Sequence, residues 1–253
     1  MTKVKSVLRY AGGKTRAVKI LLPLIPESVP ICSPFVGGGS VEFALASRGQ
    51  KVFCYDNYLP LVNFWSNAKE QPKELADMVL RLSNGLNIDK ELFKQYQKDI
   101  CNSTGVAEAA KFYIVNRCSF SGTTASGGMS INHPRFNKPS IDRLKKFNAN
   151  DFDIAFDNLG FLESIAKHEN DFLFLDPPYD INCFIYGNKG DQHKGFNHKG
   201  LHEALKNRGN WLMTYNDNKF IRELYKDCDI KKVSWAYGMN ASKAASEIII
   251  TPK

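Results

Sequence analysis

The segment from residue 31 to residue 56 limits the possible folds of this chain more than any other feature. Ile31–Phe35 is apolar, which predicts a buried strand, and Val41–Ser47 predicts a helix that begins shortly after three glycines. A second predicted strand, KVFCYD, ends at Asp56, which lies 56 − 39 = 17 residues beyond Gly39. In β-α-β nucleotide-binding folds, a carboxylate about 20 residues past the glycine loop accepts hydrogen bonds from a ribose. The segment therefore predicts a β-α-β unit with a cofactor at its strand ends.

The loop between this strand and this helix has the sequence PFVGGGS, with Gly37, Gly38 and Gly39 in succession. Glycines let the backbone come close to a ligand, and the start of the following helix presents N–H groups. The spacing is neither the G-x-G-x-x-G of a pyrophosphate-binding dinucleotide site nor the Gly-Lys-Ser/Thr ending of a P-loop. The loop thus favours a nucleoside cofactor without phosphates, and a plain tight turn is the alternative.

Composition and charge narrow the functional classes. The 253 residues include 34 Lys and Arg against 26 Asp and Glu, a formal net charge of +8, and 43% are hydrophobic. The apolar content suffices for a core, and the positive charge favours a polyanionic partner such as nucleic acid. No stretch approaches the ~18 uninterrupted apolar residues of a membrane-spanning helix. The N-terminus lacks the apolar region of a signal peptide and the six cysteines are scattered singly, so we predict a cytoplasmic protein with reduced thiols.

The middle of the chain differs in pattern from both ends. A Gly/Ser-rich stretch begins at residue 119, and from residue 151 the α/β alternation resumes and ends in a predicted antiparallel pair of strands. We therefore predict an α/β domain of residues 1–57 and 150–253, interrupted by an insertion of residues 58–149. Apolar residues recur at three to four positions in the insertion, which predicts helices at Leu59–Ala68, Pro72–Leu82, Lys90–Ile100 and Gly105–Asn116.

The most specific chemical signal is Asp176-Pro177-Pro178-Tyr179, at the end of the apolar strand FLFL. The two prolines remove backbone donors and fix φ, so the carbonyl groups of Asp176 and Pro177 are held outward as stiff acceptors. One carboxylate oxygen and one fixed carbonyl match the two N–H donors of a nucleobase amino group and direct its lone pair at an electrophile. Tyr179 offers a ring on which an extruded base can stack. A purely structural Pro-Pro turn is the alternative.

Three weaker features have competing interpretations. RYAGGK, residues 9–14, brings a ring and an ammonium close together, and is equally typical of an ordinary loop. His193, His198 and His202 suggest a metal cluster, but no Cys or carboxylate lies at ligand spacing and there is no H-E-x-x-H, so we predict no metal site. Cys118 lacks the Pro-Cys context of a ring-carbon methylating nucleophile, and we predict no covalent role for it.

Taken together and in this order, the motifs resemble those of the Dam-like DNA adenine-N6 methyltransferases, which belong to the amino-methyltransferases of the α arrangement. That family shows a Trp/Tyr-x-Gly-Gly-Lys element, then a Phe-x-Gly-x-Gly loop, then a target-recognition insertion, then Asp-Pro-Pro-Tyr. The corresponding segments here are RYAGGK, PFVGGGS, NRCSFSG and FLFLDPPYD, and the resemblance continues through LMTYND to SEIIIT. It implies an α/β fold with a Rossmann-like methyltransferase sheet, mostly parallel with an antiparallel closing strand, and a small, mainly helical insertion that carries a β-hairpin.

The resemblance also implies a cofactor, S-adenosylmethionine, bound without metal. Asp56 would accept from its ribose hydroxyls, and Asp157 with the Asn158 backbone would bind its adenine, with Asp151 and Asp153 as alternatives to Asp157. Carried over residue by residue, the implied cofactor-binding residues are Tyr10, Ala11, Lys14, Phe35, Gly37, Gly38, Gly39, Asp56, Asp157, Asn158 and Asp176. The implied catalytic residues, which form the target-base pocket, are Asp176, Pro177, Pro178 and Tyr179.

Double-stranded DNA is the partner that the resemblance implies. Ser119–Met129 matches the DNA-contacting hairpin of the family, and Ile181–Asn197 matches a mobile cover over a flipped base. Ser121 stands where the family usually has Asn, and the hairpin has few basic residues, which leaves the recognised DNA sequence open. A solvated face and an ordinary surface loop are the alternatives for the basic residues and the cover. The implied DNA-binding residues are Asn116, Arg117, Ser119, Phe120, Ser121, Arg135, Lys138 and Phe196.

These patterns predict a site-specific methyltransferase that flips an adenine in duplex DNA and methylates its N6 by direct displacement. In a restriction-modification context, a cognate endonuclease would share the site. One alternative is a cytosine-N4 or protein-glutamine methyltransferase, in which Ser or Asn more often replaces the residue at Asp176. Another is an inactive DNA-binding homologue, against which the intact motifs argue. If Arg117 contacts phosphate, Arg117→Ala weakens DNA binding and its salt dependence.

Overall fold

A seven-stranded sheet forms the centre of the molecule. The computed structural model describes residues 5–100, 104–124, 127–130, 134–179, 195–235 and 245–253. The strands are β1 (Ile31–Ser33), β2 (Val52–Asp56), β3 (Ile154–Asn158), β4 (Phe172–Leu175), β5 (Trp211–Asn216), β6 (Asp229–Trp235) and β7 (Ala245–Thr251).

The strand order is β3-β2-β1-β4-β5-β7-β6, and of these seven strands β7 alone runs in the opposite direction to the others. This confirms the predicted mostly parallel sheet and its antiparallel closing pair. The order reverses at β1, because the chain continues to β2 on one side and returns as β4 on the other. Open α/β sheets bind ligands beyond the carboxyl ends of strands at such a switch point. The glycine loop follows β1 and the Asp-Pro-Pro-Tyr turn follows β4, so the fold brings both motifs to this position.

Helices cover the sheet, and polar side chains fix the start of several of them. Asp89, Asn197 and Asn218 each accept a hydrogen bond from a backbone N–H three residues later, which satisfies a donor that the helix leaves unpaired. The helices are α1 (Val18–Leu21), α2 (Ser40–Ala46), α3 (Leu59–Glu70), α4 (Pro72–Leu82), α5 (Lys90–Asp99), α6 (Val106–Cys118), α7 (Lys138–Lys145), α8 (Phe161–Lys167), α9 (His198–Leu205) and α10 (Lys219–Leu224). Across the described ranges, no helix is long and apolar enough to cross a membrane.

The predicted insertion contains α3 to α7, and these helices share a hydrophobic core with one face of the sheet. Phe43 of α2 contacts Trp65 of α3 and Phe147, with ring centroids 5.0 and 5.2 Å apart. Trp65 also stacks on Phe156 of β3 at 5.9 Å. Aromatic pairs at these separations add specific contacts to the burial of apolar area. The helical part is therefore anchored firmly on the sheet, and its boundaries at residues 58 and 149 stay a prediction.

Some local features differ from the sequence-based expectation. The strand predicted at Ile31–Phe35 ends at Ser33, because Pro34 has no N–H to continue the ladder. In the described part of the hairpin predicted at Ser119–Met129, an antiparallel bridge joins these two residues, and a 3-10 turn from Phe120 to Gly122 occupies the first arm. The edge strand β3 carries mostly exposed or half-buried residues, so its sequence gave little periodic signal.

Candidate active site

A cavity of about 440 Å³ opens at the carboxyl ends of β1 and β4. Its walls combine backbone from the glycine loop, the segment at residues 10–14, the end of β2 and the Asp-Pro-Pro turn. Most of the residues predicted to bind the cofactor or act in catalysis therefore line one cavity, and their roles stay predictions. The predicted site residues that line the cavity are Tyr10, Ala11, Lys14, Phe35, Gly37, Gly38, Gly39, Asp56, Asp176, Pro177, Pro178 and Phe196.

Asp176, directly after β4, is held by two other elements. The hydroxyl of Thr214 on β5 donates to its Oδ1 at 2.7 Å. The Lys14 ammonium lies 2.8 Å from each of its carboxylate oxygens. The Asp176 side chain is 21% exposed, so it reaches the cavity although its carboxylate is fixed. A fixed carboxylate is pre-organised to accept a donor from a bound ligand.

Tyr179 is positioned by the closing strands of the sheet. Its hydroxyl donates to Oε2 of Glu247 on β7 at 2.6 Å, and its ring stacks on Tyr215 of β5 with centroids 5.8 Å apart. The Lys14 ammonium lies 4.8 Å from the centre of the same ring, within the range of a cation–π contact. Sequence reasoning missed Glu247, because its contacts join residues that are far apart in the chain.

The glycine loop and the segment at residues 10–14 pack against each other. Gly37 has φ +46° and Gly39 has φ +67°, a region that side chains other than glycine rarely adopt. A Cβ added on Gly37 would lie 3.0 Å from Cε1 of Tyr10. A Cβ added on Gly38 would lie 2.8 Å from the Cβ of Tyr10. The indole N–H of Trp65 donates to the Gly37 carbonyl at 2.9 Å and fixes the loop from below. Glycine is thus required here by both conformation and space.

Asp56 lies at the end of β2 and faces the cavity. The backbone N–H groups of Gly37 and Tyr58 donate to its carboxylate at 3.3 and 3.0 Å. Burial raises the pKa of this carboxyl to about 6, and the two N–H donors oppose that shift. Asp56 is thus ionised at neutral pH and offers an acceptor for hydroxyl groups at this edge of the cavity.

Glu42 is a second cavity-lining acid, and sequence reasoning missed it. It lies in the first turn of α2, is 2% exposed, and accepts from the Ser33 hydroxyl at 2.7 Å. Burial raises the pKa of Glu42 to about 7, against the opposing hydrogen bonds of Ser33 and the backbone. Its position three residues after Gly39 is the available sequence signal, since an acid there meets the start of the helix.

An aromatic wall closes the other side of the cavity. Phe196 lies 5.6 Å from Phe35 and 5.1 Å from Phe161 between ring centroids. Phe35 and Phe161 are themselves 5.7 Å apart. All three rings line the cavity and are only partly buried, so their faces and edges form an apolar surface suited to a flat ring.

Asp157 and Asn158 end β3 beside Asp56 but do not line the cavity. The Asn158 amide donates to the Asp56 carbonyl at 2.8 Å, and the Asp157 side chain is 63% exposed, 3.9 Å from the Lys167 ammonium. Their predicted contact with an adenine ring stays a prediction, and so does the choice among Asp151, Asp153 and Asp157.

Comparison with known proteins decides the family. The model of the D12 class N6 adenine-specific DNA methyltransferases matches residues 10–239. The chain belongs to this family. The match confirms the resemblance predicted from the motifs, and with it the enzyme class of adenine-specific DNA methyltransferase.

Several named proteins are similar to this methyltransferase along most of its length. Type II methyltransferase M1.LlaDCHI of Lactococcus lactis subsp. cremoris is 26% identical over 277 aligned positions, which cover 96% of this chain and 93% of that protein. The DNA adenine methylase of Vibrio cholerae serotype O1 is 26% identical over 186 positions, 71% of this chain and 66% of that protein. The retron Ec67 DNA adenine methylase of Escherichia coli is 24% identical over 271 positions, 97% of this chain and 90% of that protein.

In this adenine-specific methyltransferase, Asn116 joins the predicted hairpin to the segment before Tyr10. It is fully buried; its Oδ1 accepts from the Arg9 N–H at 3.1 Å, and its amide donates to the Arg9 carbonyl at 2.6 Å. The same amide donates to the Thr124 hydroxyl at 3.1 Å. Its predicted contact with DNA stays a prediction, and the structure assigns its side chain to this internal link.

Arg117 is 7% exposed, and its guanidinium donates to the Arg135 carbonyl, through Nε at 2.8 Å and Nη2 at 2.5 Å. The structure therefore uses Arg117 to hold the segment before α7, which the sequence did not reveal. Burial lowers the pKa of Arg117, and the nearby Arg143, Arg9 and Arg135 lower it further. These guanidinium groups thus form a cluster of like charge.

The other predicted DNA-binding residues differ in exposure. Phe120 is 55% exposed and is among the most exposed large apolar side chains, and Arg135 and Lys138 are also exposed. Ser119 is buried, and its hydroxyl donates to the Asn116 carbonyl at 3.1 Å. The backbone at Ser121 belongs to the 3-10 turn. Most of the predicted cover, residues 181–194, lies outside the described residues.

The structure describes part of the histidine group and the surroundings of Cys118. Among the described residues, no group of three His, Cys, Asp or Glu side chains could hold a metal ion, and His193 lies outside them. His198 shares a hydrogen bond with the Tyr215 hydroxyl. Cys118 is buried, and burial raises the pKa of its thiol to about 12, which keeps it protonated.

Proposed function

We propose that this enzyme methylates the N6 amino group of adenine in duplex DNA, with S-adenosylmethionine as methyl donor and the target base turned out into the cavity. The observation that carries the proposal is the Asp176 carboxylate. It reaches the cavity at the carboxyl end of β4, directly before two prolines, and Thr214 and Lys14 hold it in place. A base must leave the duplex to reach such a recessed group.

The residues of the cavity fit this cofactor. Asp56 is placed to accept from a ribose, and Glu42 adds a carboxyl group that favours a cation. The aromatic wall matches an adenine ring. The glycine loop brings backbone to the ligand without the spacing of a phosphate site. When bound, the cofactor supplies an activated methyl group, which passes to the nitrogen as its bond to sulfur breaks, and the nitrogen then releases one proton.

The residues of this chain orient and polarise the nitrogen. A carboxylate oxygen of Asp176 and the carbonyl of Pro177 accept hydrogen bonds from the two N–H groups. This arrangement directs the nitrogen lone pair at the methyl group. Tyr179 supports the base through its ring, which Tyr215 and Glu247 hold. The Asp176 carboxylate, which accepts a hydrogen bond from the amino group, is also placed to receive the released proton. Orientation of this kind and pre-organised acceptors account for most of the rate.

The DNA surface in this proposal lies on the insertion, beside the cavity. Gly122, Thr123 and Thr124 of the predicted hairpin line the cavity, which brings DNA held there close to Asp176. Exposed Phe120 is suited to contact bases, and exposed Arg135 and Lys138 are suited to contact phosphates. A DNA substrate agrees with the predicted cytoplasmic location. A restriction-modification role, with an endonuclease that shares the site, is supported by the type II names of relatives.

Expression in cells that lack adenine methylation, followed by sequencing that detects modified bases, tests the proposal. N6-methyladenine at one recurring sequence supports it and identifies the site. N4-methylcytosine instead would favour the alternative chemistry. DNA without new methyl groups, from cells that contain folded protein, would contradict an active DNA methyltransferase.

Cofactor affinity should fall as the pH decreases through about 6. Asp56 has a raised pKa of about 6, so above this pH it is a carboxylate that accepts from a ribose, and below it the carboxyl is protonated and a weaker acceptor. We expect the dissociation constant for S-adenosylmethionine, measured by calorimetry, to rise about tenfold between pH 7 and pH 5. Asp56→Asn should bind weakly at pH 7 and lose this step, whereas Asp77→Asn, on the surface of α4, should match the wild type. If the dissociation constant of Asp56→Asn still rises about tenfold between pH 7 and pH 5, a group other than Asp56 causes the pH dependence.

The salt dependence of DNA affinity should distinguish exposed basic residues, which can contact phosphates, from buried ones. Removing a phosphate contact reduces the slope of log affinity against log salt concentration by about one, and we expect this for Lys138→Ala. Arg117→Ala should lower the melting temperature instead, because its guanidinium bonds the Arg135 carbonyl. Lys226→Ala, at an exposed position in the turn after α10, is the control and should change neither. A reduced slope with unchanged stability in Arg117→Ala would return Arg117 to the phosphate contacts.

A further inference from the structure

Glu247 is a buried acid at the active site for which the methyl-transfer proposal gives no role beyond its contact with Tyr179. It is fully buried on β7, opposite Asn216 of β5. Its Oε2 accepts from the Tyr179 hydroxyl at 2.6 Å and lies 3.8 Å from the Lys14 ammonium. A buried carboxylate is costly unless a cation or hydrogen bonds compensate it. Glu247 thus contacts two residues that also contact or flank Asp176.

The Lys14 ammonium is close to two carboxylates, those of Asp176 and Glu247. Its side chain is 4% exposed, and its ammonium is 2.8 Å from both oxygens of Asp176. The same ammonium is 3.8 Å from Glu247, so a shift of 3.8 − 2.8 = 1.0 Å would bring it to the same distance from Glu247. Two acids therefore share one buried ammonium, and Asp176 holds it more closely in the free protein.

The proposed reaction creates a conflict at Asp176. Its Oδ1 accepts from Thr214 and Lys14, and its Oδ2 accepts from Lys14. The target amino group takes an acceptor position on Oδ2 beside Lys14, so the arriving base competes with Lys14 for this oxygen. The ammonium also donates to the Gly12 carbonyl at 3.1 Å, but a carbonyl compensates a buried charge less than a carboxylate does, so a second carboxylate nearby stabilises it.

We propose that Glu247 is a positioning residue that takes the Lys14 ammonium when the target amino group takes an oxygen of Asp176, and that it holds the Tyr179 ring at the same time. The inference rests on the proposed role of Asp176 in methyl transfer. Glu247 contacts neither the base nor the methyl group in this scheme. Its carboxylate stabilises Lys14 in both positions, and the shift of about 1 Å couples the arrival of the base to the release of Asp176.

A stability cycle in the free protein tests the sharing of the ammonium without any activity measurement. If either acid can hold Lys14, Asp176→Asn and Glu247→Gln should each lower the melting temperature by about 2–4 °C, because the other acid remains. The double variant should lose more than the sum, about 10 °C or more, since Lys14 is then buried without a carboxylate. A double variant that fails to fold, while both single variants fold, would also show a stability loss larger than the sum of the two single losses. Additive shifts would overturn the sharing.

Single-turnover methyl transfer tests whether the reaction uses this sharing. Glu247→Gln should reduce the transfer rate by about 10- to 100-fold, while its affinities for S-adenosylmethionine and DNA stay within about threefold of the wild type. Glu247→Asp keeps the charge and should recover part of the rate. In a Lys14→Ala background, Glu247→Gln should change the rate by less than about threefold, because both residues act through one contact. Glu223→Gln, on the surface of α10, is the matched control.

The possible failures are distinguishable. A wild-type protein that transfers no methyl group to adenine contradicts the proposed function, whereas the stability cycle still reports on Lys14. An active wild type with an unchanged rate in Glu247→Gln contradicts the positioning role alone. Rate losses that multiply in the Lys14→Ala background would also contradict it, because they would show that Glu247 acts independently of Lys14.

Discussion

Replacing Asp176 with alanine should reduce methyl transfer by at least about 10³-fold while it changes cofactor affinity by less than about tenfold. In the proposed mechanism the carboxylate accepts a hydrogen bond from the target N–H, so its loss removes both orientation and charge at the nitrogen. Asp176→Asn keeps the shape and one acceptor oxygen, and should lose nearly as much, since an amide does not receive the released proton. Transfer of labelled methyl groups under single-turnover conditions measures the effect.

The control for this experiment lies at the opposite end of the same strand. Asp171 precedes β4 and bonds His168 at 2.7 Å, away from the cavity. Asp171→Asn should therefore keep transfer within about threefold of the wild type, at some cost in stability. Turnover near the wild-type value in Asp176→Ala would remove Asp176 from the catalytic group and, with it, the mechanism proposed above.

Gly39→Ala should destabilise the protein by about 2–4 kcal/mol and weaken cofactor binding at least tenfold, by about 1.4 kcal/mol or more. Gly39 has φ +67°, and an added Cβ would lie 2.6 Å from Cε2 of Phe43. Phe43 is 1% exposed and packed between Trp65 and Phe147, so its ring cannot move aside at low cost. The strain would also shift the loop that lines the cavity.

Gly49→Ala is the matched control for this substitution. Gly49 also has a positive φ, +93°, but an added Cβ would meet nothing within 4 Å. It should cost only the backbone strain, about 1–2 kcal/mol, with unchanged cofactor affinity. Thermal unfolding and calorimetry report both quantities. Equal losses of stability in the two variants would show that backbone conformation, and not the contact with Phe43, makes Gly39 necessary.

The sequence was most informative where function depends on short segments. The glycine loop and the Asp-Pro-Pro-Tyr turn each combine a strand end with residues that set backbone conformation, and parallel strands then bring their carboxyl ends together. Local spacing therefore predicted Gly37, Gly39 and Asp176 in one site, and all three line the cavity.

The sequence was least informative where a role depends on distant contacts. Asn116 bonds Arg9, 107 residues away, and Glu247 bonds Tyr179, 68 residues away. Nothing in the local pattern separates such a buried polar residue from a surface residue that contacts DNA. Arg117 illustrates this, because a basic residue beside a DNA-contacting motif suggests a phosphate contact, and its burial is set by α7 and the preceding segment.

The hydrogen bonds of Asn116 connect the predicted hairpin directly to the segment before Tyr10. Asn116 is hydrogen-bonded to both the N–H and the carbonyl of Arg9. Tyr10, the residue after Arg9, lies against Gly37 and Gly38 of the glycine loop. In the proposed function, a single peptide unit thus separates the element that would face DNA from the loop that would face the cofactor. Thermodynamic linkage makes any influence between them reciprocal: whatever factor the cofactor contributes to DNA affinity, DNA contributes equally to cofactor affinity. If the proposed function holds, the effect of the cofactor on DNA affinity and the effect of DNA on cofactor affinity would measure the same coupling free energy.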